Sequence, residues 1–410
     1  MLRDSRSNDG DMENSGTRRR LPTLVWCAAV ALAVGLVAGP AAAAPLPQLT
    51  LPPPTGNDRI GTVELHLVDP TRTDPFVPTH PIRELMVQVW YPARDTARCP
   101  AAPWLDNAAV PHFEQSLGLP AGVFTLPVTD GHIGAPVDGG TTGRPVVLYS
   151  PGLGADRAVG TTLVEELVSH GYIVVAIDHT HDDSEVVFPG GRVEVSTLRA
   201  VTTPEVALEA EQVRVADTRF VLDELAVLDH GGNPDAEHRS LPGGIAGALD
   251  LSHTGMFGWS IGGATAAGAM FADRRIAAGI DMDGTLYGPV VTMGLDRPFV
   301  LMSSQDHGRD NDVSWAGFWA VQRGFKLDLK LVNSQHTSYS DGEVLYPQVA
   351  PLIGLPPDQQ AQLIGTVDPV RAVAAERAYI EAFFDRTLRH RDGRLLAGPS
   401  SRFPEIQFIR

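Results

Sequence analysis

The segment Thr254–Ala272, TGMFGWSIGGATAAGAMFA, joins a predicted buried strand to a predicted Ala- and Gly-rich helix through one short turn. The turn carries Gly258-Trp259-Ser260-Ile261-Gly262, which matches the pattern G-x-S-x-G. A serine at the centre of such a turn has strained backbone angles, and its hydroxyl projects beyond the end of the sheet. The flanking glycines are needed because larger side chains would collide with neighbouring backbone. This setting predicts that Ser260 is a nucleophile at the N-terminus of a helix.

The chain around this turn alternates between short apolar strands and amphipathic helices. The predicted strands of this region are Pro145–Tyr149, Tyr172–Ile177, Thr254–Gly258, Ile276–Met282, Phe299–Ser303 and Leu327–Val332. The predicted helices are Val159–His170, Pro204–Leu228, Gly262–Ala272 and Arg371–Leu388. Such alternation is typical of a mainly parallel sheet with helices on both faces. Thr62–Leu67 and Leu85–Tyr91 predict antiparallel strands before it, so we expect a mixed sheet and the α/β-hydrolase fold.

A serine hydroxyl becomes a good nucleophile when a histidine accepts its proton and a carboxylate orients that histidine. In this fold the chain order is serine, then acid, then histidine. His336 lies in a late loop after the last predicted core strand and is the expected base, with His307 as the alternative. The expected acid is Asp281 or Asp283 at the end of one strand, or the rival Asp306 after the next. Alternation along the strand lets only one of the first two face the site, and spacing leaves the rival open.

The loop Ser150-Pro151-Gly152-Leu153-Gly154 follows a predicted strand and is the expected oxyanion-binding loop. Its glycines let the backbone approach a substrate carbonyl closely. Because its proline has no N–H, we expect the backbone N–H groups of Leu153 and Ile261 to be the two donors. Trp259 is expected to border the substrate pocket. His179 is expected either to border the pocket or to form hydrogen bonds within its loop.

The run His179-Thr180-His181-Asp182-Asp183 is a candidate metal-binding cluster at the end of a strand. No further set of Cys, His or Asp residues in the sequence completes it. We therefore predict that the protein binds no metal and needs no cofactor.

The composition is that of a globular protein and does not favour nucleic-acid binding. The chain has 410 residues, of which 43% are hydrophobic, and its formal net charge is −17. Phosphate backbones require clustered Lys and Arg, so this charge argues against a nucleic-acid partner. The acidity also gives no attraction to anionic membranes. We expect a small-molecule ester or lipid as substrate, with no more than transient contact with lipid surfaces.

Residues 1–44 have the features of a cleaved export signal. Arg18-Arg19-Arg20 precedes the apolar run Thr23–Gly39, and small residues follow it up to position 44. The arginines fit either the general secretory route or the twin-arginine route. Cleavage would remove Cys27 and leave Cys99 alone, so we expect a secreted protein without an internal disulfide. No membrane span is expected after cleavage.

The remainder of the chain is predicted to form one domain. Residues 45–58 are rich in proline and polar groups and predict a linker. Residues 59–390 are predicted to be a single α/β-hydrolase domain, and residues 391–410 a C-terminal tail. Within the domain, residues 93–143 show little periodicity and residues 231–247 have the composition of a surface loop.

Several stretches together resemble the plasma-type (isoform II) platelet-activating-factor acetylhydrolase family and its secreted bacterial lipase-like relatives. Besides the G-x-S-x-G turn, they are VQVWYPA at 87–93, SPGLG at 150–154, SHGYIVVAIDH at 169–179 and QHTSYSD at 335–341. The resemblance extends from about residue 60 to residue 388. In that family the acid follows the strand directly after the nucleophile's helix, so the resemblance favours Asp283 over Asp306. The family's oxyanion donors correspond to the backbone of Leu153 and Ile261.

The resemblance also implies a reaction. Members of the family hydrolyse short or oxidised sn-2 acyl esters of phospholipids without a metal, and the same serine esterase chemistry is expected here. Trp259 stands where the family usually has His, and Ser150-Pro151 replaces a more frequent His, which leaves the acyl and leaving-group preference open. The alternatives are a broader lipase or polyester-type esterase, and a non-catalytic binding protein of the same fold.

Overall fold

The computed structural model describes residues 45–79, 82–116, 118–119, 122–139, 143–198, 203–391 and 393–410. The predicted export signal, with its apolar run and Cys27, lies outside these residues. Cys99 is a free thiol. Within the part of the chain that is described, no helix combines the length and the apolar composition that crossing a bilayer requires.

One eleven-stranded sheet forms the centre of the molecule, in the order β13-β12-β11-β10-β9-β5-β6-β2-β1-β4-β3. The strands are β1 (Arg59–Asp69), β2 (Arg83–Ala93), β3 (Ala101–Pro103), β4 (Val128–Ile133), β5 (Arg144–Ser150), β6 (Ile173–Asp178), β7 (Glu185–Phe188), β8 (Arg192–Val195), β9 (Leu249–Trp259), β10 (Ile276–Met282), β11 (Phe299–Ser303), β12 (Lys326–Leu331) and β13 (Ile406–Phe408). The run from β12 to β6 is parallel, and β2 joins β6 antiparallel. Strands β7 and β8 form a separate hairpin.

Helices cover both faces of this sheet. They are α1 (Val110–Ser116), α2 (Thr161–Ser169), α3 (Pro204–Asp229), α4 (Ile261–Ala272), α5 (Val290–Met293), α6 (Val313–Val321), α7 (Gly342–Ile353), α8 (Pro357–Ile364) and α9 (Pro369–Leu388). Side chains of β5 alternate between two cores: Val146 and Leu148 pack with α3, α4 and α6, whereas Val147 and Tyr149 pack with α2 and α9. This alternation is the period of two that a strand buried on both faces requires. The expected α/β-hydrolase fold is thus confirmed.

The predicted core elements are present with small shifts at their ends. Strand β9 begins at Leu249, five residues earlier than expected, because its first residues pair with the start of β5. Helix α9 begins at Pro369 because the Asp368 side chain accepts a hydrogen bond from the backbone N–H of Arg371. The aperiodic stretch 93–143 contains β3, α1 and β4, which are too short to show a sequence period.

Both segments predicted to lie outside the domain pack against it. In residues 45–58, Leu49 is buried and the Thr55 side chain contacts the Glu166 carboxylate. In residues 391–410, strand β13 pairs antiparallel with β12 and satisfies backbone groups that would otherwise form an open sheet edge. The described fold therefore extends beyond residues 59–390 at both ends.

The parallel register places five loops together. Strands β5, β9, β10, β11 and β12 run in one direction, so their carboxyl ends lie at the same edge of the sheet. In open α/β sheets, ligands bind at this edge. Every residue of the expected catalytic set lies in a loop or turn at this edge.

Candidate active site

The turn between β9 and α4 has the strained geometry that the sequence predicts. Ser260 has φ 58° and ψ −128°, a conformation that residues other than glycine rarely adopt. A Cβ on Gly258 would lie 2.3 Å from the carbonyl carbon of Gly262. A Cβ on Gly262 would lie 2.0 Å from the carbonyl oxygen of Ser150. The Ser260 N–H donates to the Met282 carbonyl at 2.8 Å, which fixes the turn against the end of β10. Both glycines are therefore required by close backbone contacts.

His336 lies in a 3-10 turn after β12 and contacts both partners expected of it. Its Nε2 is 3.0 Å from Ser260 Oγ, and its Nδ1 is 2.7 Å from Asp283 Oδ2. The Trp259 ring lies 5.2 Å from the His336 ring, and its indole N–H donates to the His336 carbonyl at 2.8 Å. Trp259 thus packs directly against His336. A proton on Nδ1 and a lone pair on Nε2 satisfy both contacts of the imidazole.

Asp283 is held by the backbone and by two histidines. It follows β10 directly, and its N–H donates to the Met302 carbonyl at 2.8 Å. Its Oδ1 accepts hydrogen bonds from the Ser304 N–H at 2.6 Å and from His307 Nδ1 at 3.0 Å. Burial would raise the pKa of Asp283, but the hydrogen bonds from His307 and His336 outweigh burial and hold the pKa well below its usual range. The carboxylate is thus ionised at neutral pH.

The other two candidate acids do not reach His336. Asp281 is fully buried, its Oδ1 accepts from the Gly284 N–H, and burial raises its pKa well above the usual value. Its position agrees with the alternation that lets only one of the two β10 aspartates face the site. Asp306, the rival that spacing left open, is exposed, and its carboxylate accepts a hydrogen bond from the Gln335 side chain. Asp306 therefore does not occupy the expected position of the acid, because its loop turns it toward solvent.

The expected oxyanion donors lie on two adjacent segments. The side chains of Leu153 and Ile261 pack in one apolar cluster, which brings the loop after β5 against the start of α4. A Cβ on Gly152 would come within 2.8 Å of the Trp259 ring, so this loop also contacts the residue before Ser260. Among the described residues, neither backbone N–H donates to a protein acceptor. Both N–H groups are thus available to a ligand.

Arg214 of α3 supports this loop from beneath. Its fully buried guanidinium donates to the carbonyls of Pro151 at 2.6 Å and Gly152 at 3.0 Å. Asp182, also fully buried, accepts two hydrogen bonds from it, each at 2.7 Å. In a trans peptide, C=O and N–H point in opposite directions. The contact with the Gly152 carbonyl therefore directs the Leu153 N–H away from Arg214.

His179, for which the sequence left open a place beside the pocket or hydrogen bonds within its loop, lies between the end of β5 and α3. It is fully buried, with Nε2 at 3.0 Å from Ser150 Oγ and Nδ1 at 3.0 Å from Asp217 Oδ2. Burial and the nearby Arg214 lower the pKa of His179 to about 4, so the ring is neutral. The ring is enclosed here because Asp217 of α3 accepts a hydrogen bond from its Nδ1. No signal in the sequence pairs α3 with this loop, since the two lie far apart along the chain.

The run that resembles a metal cluster forms ion pairs. Asp182 and Asp183 contact Arg214, and His181 contacts Asp74 at 2.9 Å. Elsewhere in the described ranges, Glu166, His170 and Glu381 bring three ligand atoms close together. Each ring nitrogen of that histidine faces a carboxylate, and hydrogen bonds with Glu166 and then Glu381 raise the pKa of His170 to about 9. A protonated ring favours an ion pair over metal binding.

The mixed sheet, the strained serine turn and the contacting Ser, His and Asp side chains define an α/β hydrolase. The family model described as platelet-activating factor acetylhydrolase, isoform II, matches residues 48–392. The chain belongs to this family.

Individual relatives agree on the class of reaction. The chain is 31% identical over 294 residues to a probable 1-alkyl-2-acetylglycerophosphocholine esterase of Arthroderma benhamiae, covering 68% of each protein. It is 27% identical over 217 residues to the platelet-activating factor acetylhydrolase of Cavia porcellus, covering 48% of each. The solved structure of a ferulic acid esterase from Streptomyces cinnamoneus matches with a TM-score of 0.73 and 34% identity, over 88% of this chain and 99% of that one. The protein is a carboxylic-ester hydrolase.

Proposed function

We propose that the protein is a serine esterase that works through an acyl-enzyme, with Ser260 as nucleophile, His336 as base and Asp283 as the acid that orients it. The observation that carries the proposal is the continuous contact from Asp283 Oδ2 through His336 to Ser260 Oγ, at 2.7 Å and 3.0 Å. The two unengaged N–H groups of Leu153 and Ile261 support it.

In the first step, Ser260 Oγ attacks the ester carbonyl carbon while His336 Nε2 accepts the hydroxyl proton. The Leu153 and Ile261 N–H groups stabilise the resulting oxyanion, and Asp283 stabilises the imidazolium. The C–O bond to the alcohol then breaks, and His336 returns the proton to the leaving alcohol. In the second step, water gives a proton to His336 and attacks the acyl-enzyme, and the carboxylic acid leaves as Ser260 regains its proton.

For the substrate, we propose short or modified acyl esters of lipids. The family and the Arthroderma benhamiae relative support an acetylated phospholipid. The apolar cluster around both oxyanion donors also includes the partly buried side chains of Phe76, Leu198 and Tyr287. These side chains provide an apolar surface beside Ser260, which suits an acyl or aryl group better than a charged one.

An aryl ester is the second candidate substrate, because the structural match to the ferulic acid esterase extends over 99% of that enzyme and 88% of this chain. A decisive assay compares kcat/KM for p-nitrophenyl esters of increasing chain length, a 2-acetyl phospholipid and methyl ferulate. We expect the highest kcat/KM for the acetyl esters, with a burst of p-nitrophenol that reports acyl-enzyme formation. A preference for methyl ferulate over the 2-acetyl phospholipid would favour the aryl esterase. Absence of turnover with every one of these esters would contradict the proposed substrates.

We also propose that the protein is exported and that residues 1–44 are removed. The support is the sequence pattern of three arginines, an apolar run and small residues. N-terminal sequencing of the protein from the culture medium of an expressing bacterium tests this. We expect a start near residue 45, and a protein that stays in the cells with residues 1–44 attached would contradict the proposal.

A further inference from the structure

His307, which the sequence offered only as an alternative base, makes two contacts that its role as a base would not need. Its Nδ1 lies 3.0 Å from Asp283 Oδ1, and its Nε2 lies 3.0 Å from Asp312 Oδ2. A carboxylate only accepts hydrogen bonds when ionised, so both contacts are hydrogen bonds when both ring nitrogens carry protons. The geometry therefore fits a doubly protonated, positively charged ring between two aspartates.

Asp312 is itself fixed in place. It lies directly before α6, and its Oδ1 accepts from the Ser314 N–H at 2.7 Å. Its Oδ2 also accepts from Thr285 Oγ1 at 2.8 Å, on the loop that follows Asp283. The His307 ring lies 4.4 Å from the ring of Trp315, the second residue after Val313 in α6. The His307 ring thus contacts Asp312 and Trp315 of the α6 region on one side and Asp283 on the other.

We propose that His307 is a positioning residue for the catalytic acid: it binds Oδ1 of Asp283 and leaves Oδ2 to orient His336. The inference rests on the proposed function, since it assigns a role to a partner of Asp283. His307 does not contact Ser260, so its effect passes through Asp283 and His336. Its positive charge balances part of the negative charge of Asp283, so that its removal would strengthen the attraction between Asp283 and the imidazolium that forms on His336 during the reaction.

The charged groups near His307 agree with this role. Burial would lower the pKa of His307, but hydrogen bonds with Asp283 and Asp312 outweigh burial and raise it to about 10. Lys330 donates to the His307 carbonyl at 2.6 Å and to the Gln305 carbonyl at 2.8 Å, so its ammonium binds backbone and not the ring. Among the described residues, two further aspartates act on His307: Asp281, whose pKa is raised well above its usual range by burial, and Asp328, whose carboxylate pairs with Arg309. The two ring contacts keep His307 charged through the neutral range.

The test uses the full-length enzyme with His307→Gln, which removes the charge, and His307→Lys, which keeps one. Both kcat and KM for p-nitrophenyl acetate are measured against pH, beside wild type and the control His253→Gln, which changes a partly buried histidine of β9 that pairs with Asp250. In His307→Gln we expect kcat to fall about 10–100-fold, as for other supporting hydrogen bonds, with KM unchanged. The acid limb of the pH profile should move to higher pH, and His307→Lys should move it back toward wild type.

An unchanged kcat and acid limb in His307→Gln would overturn the inference. A lower kcat with an unmoved acid limb would do the same, because it would indicate a packing defect alone. If His307→Gln does not fold, Asp312→Asn replaces it, since Asn keeps the Oδ1 acceptor for the start of α6 and loses the charge facing His307. It leaves the positive charge of His307 less balanced, so it should move the acid limb in the opposite direction, to lower pH, and no shift would count against the inference. Ser260→Ala separates the two claims. If Ser260→Ala retains turnover, the proposed function is wrong. If Ser260→Ala is inactive while His307→Gln has the kcat and pH profile of the wild type, only the role of His307 is wrong.

Discussion

At the scale of single residues, the choice of the aspartate that orients His336 shows what sequence spacing and side-chain position each contribute. Spacing leaves Asp283 and Asp306 open because each follows a strand whose carboxyl end lies at the active-site edge. The position of the side chain decides: Asp283 contacts His336 at 2.7 Å, whereas Asp306 is exposed and contacts Gln335. The family resemblance favours the same residue, but periodicity alone could not have separated the two.

The two aspartates give a direct prediction. Asp283→Asn should lower kcat about 10⁴-fold, because an amide at this position favours the wrong tautomer of the base. Asp306→Asn is the matched control and should retain activity within a few-fold of wild type. Steady-state kinetics on p-nitrophenyl acetate measures both. If Asp306→Asn is the inactive variant and Asp283→Asn is not, the assignment of the acid is wrong.

His307 also gives a prediction about stability and pH. Its pKa in the folded protein is about 10, above the ordinary value of 6.5. The stabilisation that it contributes is therefore complete below pH 6.5 and is lost as pH rises through about 10. The difference in free energy of unfolding between wild type and His307→Gln should be largest at mildly acidic pH and shrink toward pH 10. Urea unfolding at several pH values measures it, and a difference that grows with pH would contradict the assignment of a charged ring.

At the scale of elements, α3 and the loop after β5 depend on each other. Arg214 is enclosed by the carboxylates of Asp182 and Asp183 and by the carbonyls of the oxyanion loop. Sequence analysis predicted the helix, the loop and the acidic run separately. It could not predict their contact, because helix α3 follows the loop only after the intervening β6, β7 and β8. The contact with Arg214 explains why the run 179–183, which resembles a metal-binding cluster, contains two adjacent aspartates.

Replacing the Arg214 guanidinium should lower both the free energy of unfolding and kcat. Arg214→Met leaves two aspartates buried without their partner, which should lower the free energy of unfolding by about 3–5 kcal/mol. In the fraction that folds, kcat should fall because the Leu153 N–H is no longer oriented.

Arg219→Met, at a mostly exposed position of the same helix, is the matched control and should change stability by no more than about 0.5 kcal/mol. Urea unfolding and active-site-titrated kinetics measure the pair. Equal stability of the two variants would show that the buried network does not support the loop.

At the scale of the whole molecule, the parallel strands at the centre of the sheet were predictable from the sequence, whereas the short strands outside this centre were not. Strands such as β5, β6 and β10 are continuous apolar runs buried on both faces, and this pattern is strong in the sequence. Strand β13 and the hairpin of β7 and β8 are only three to four residues each, and tertiary pairing rather than local pattern forms them. Motifs predicted the contact between Ser260 and His336, and the family resemblance favoured Asp283, which contacts His336. Neither the contact of His179 with Asp217 of α3 nor the contacts of His307 with two aspartates were predicted.

The central claim is that Ser260 is a nucleophile activated by His336 and Asp283. Reaction of the folded protein with a fluorophosphonate probe, followed by mass spectrometry of the labelled peptide, tests it most directly. The account predicts one adduct on Ser260 in the wild type, none in Ser260→Ala, and much slower labelling in His336→Ala. A folded wild type that does not react, or a Ser260→Ala variant that is labelled as fast as wild type, would contradict it.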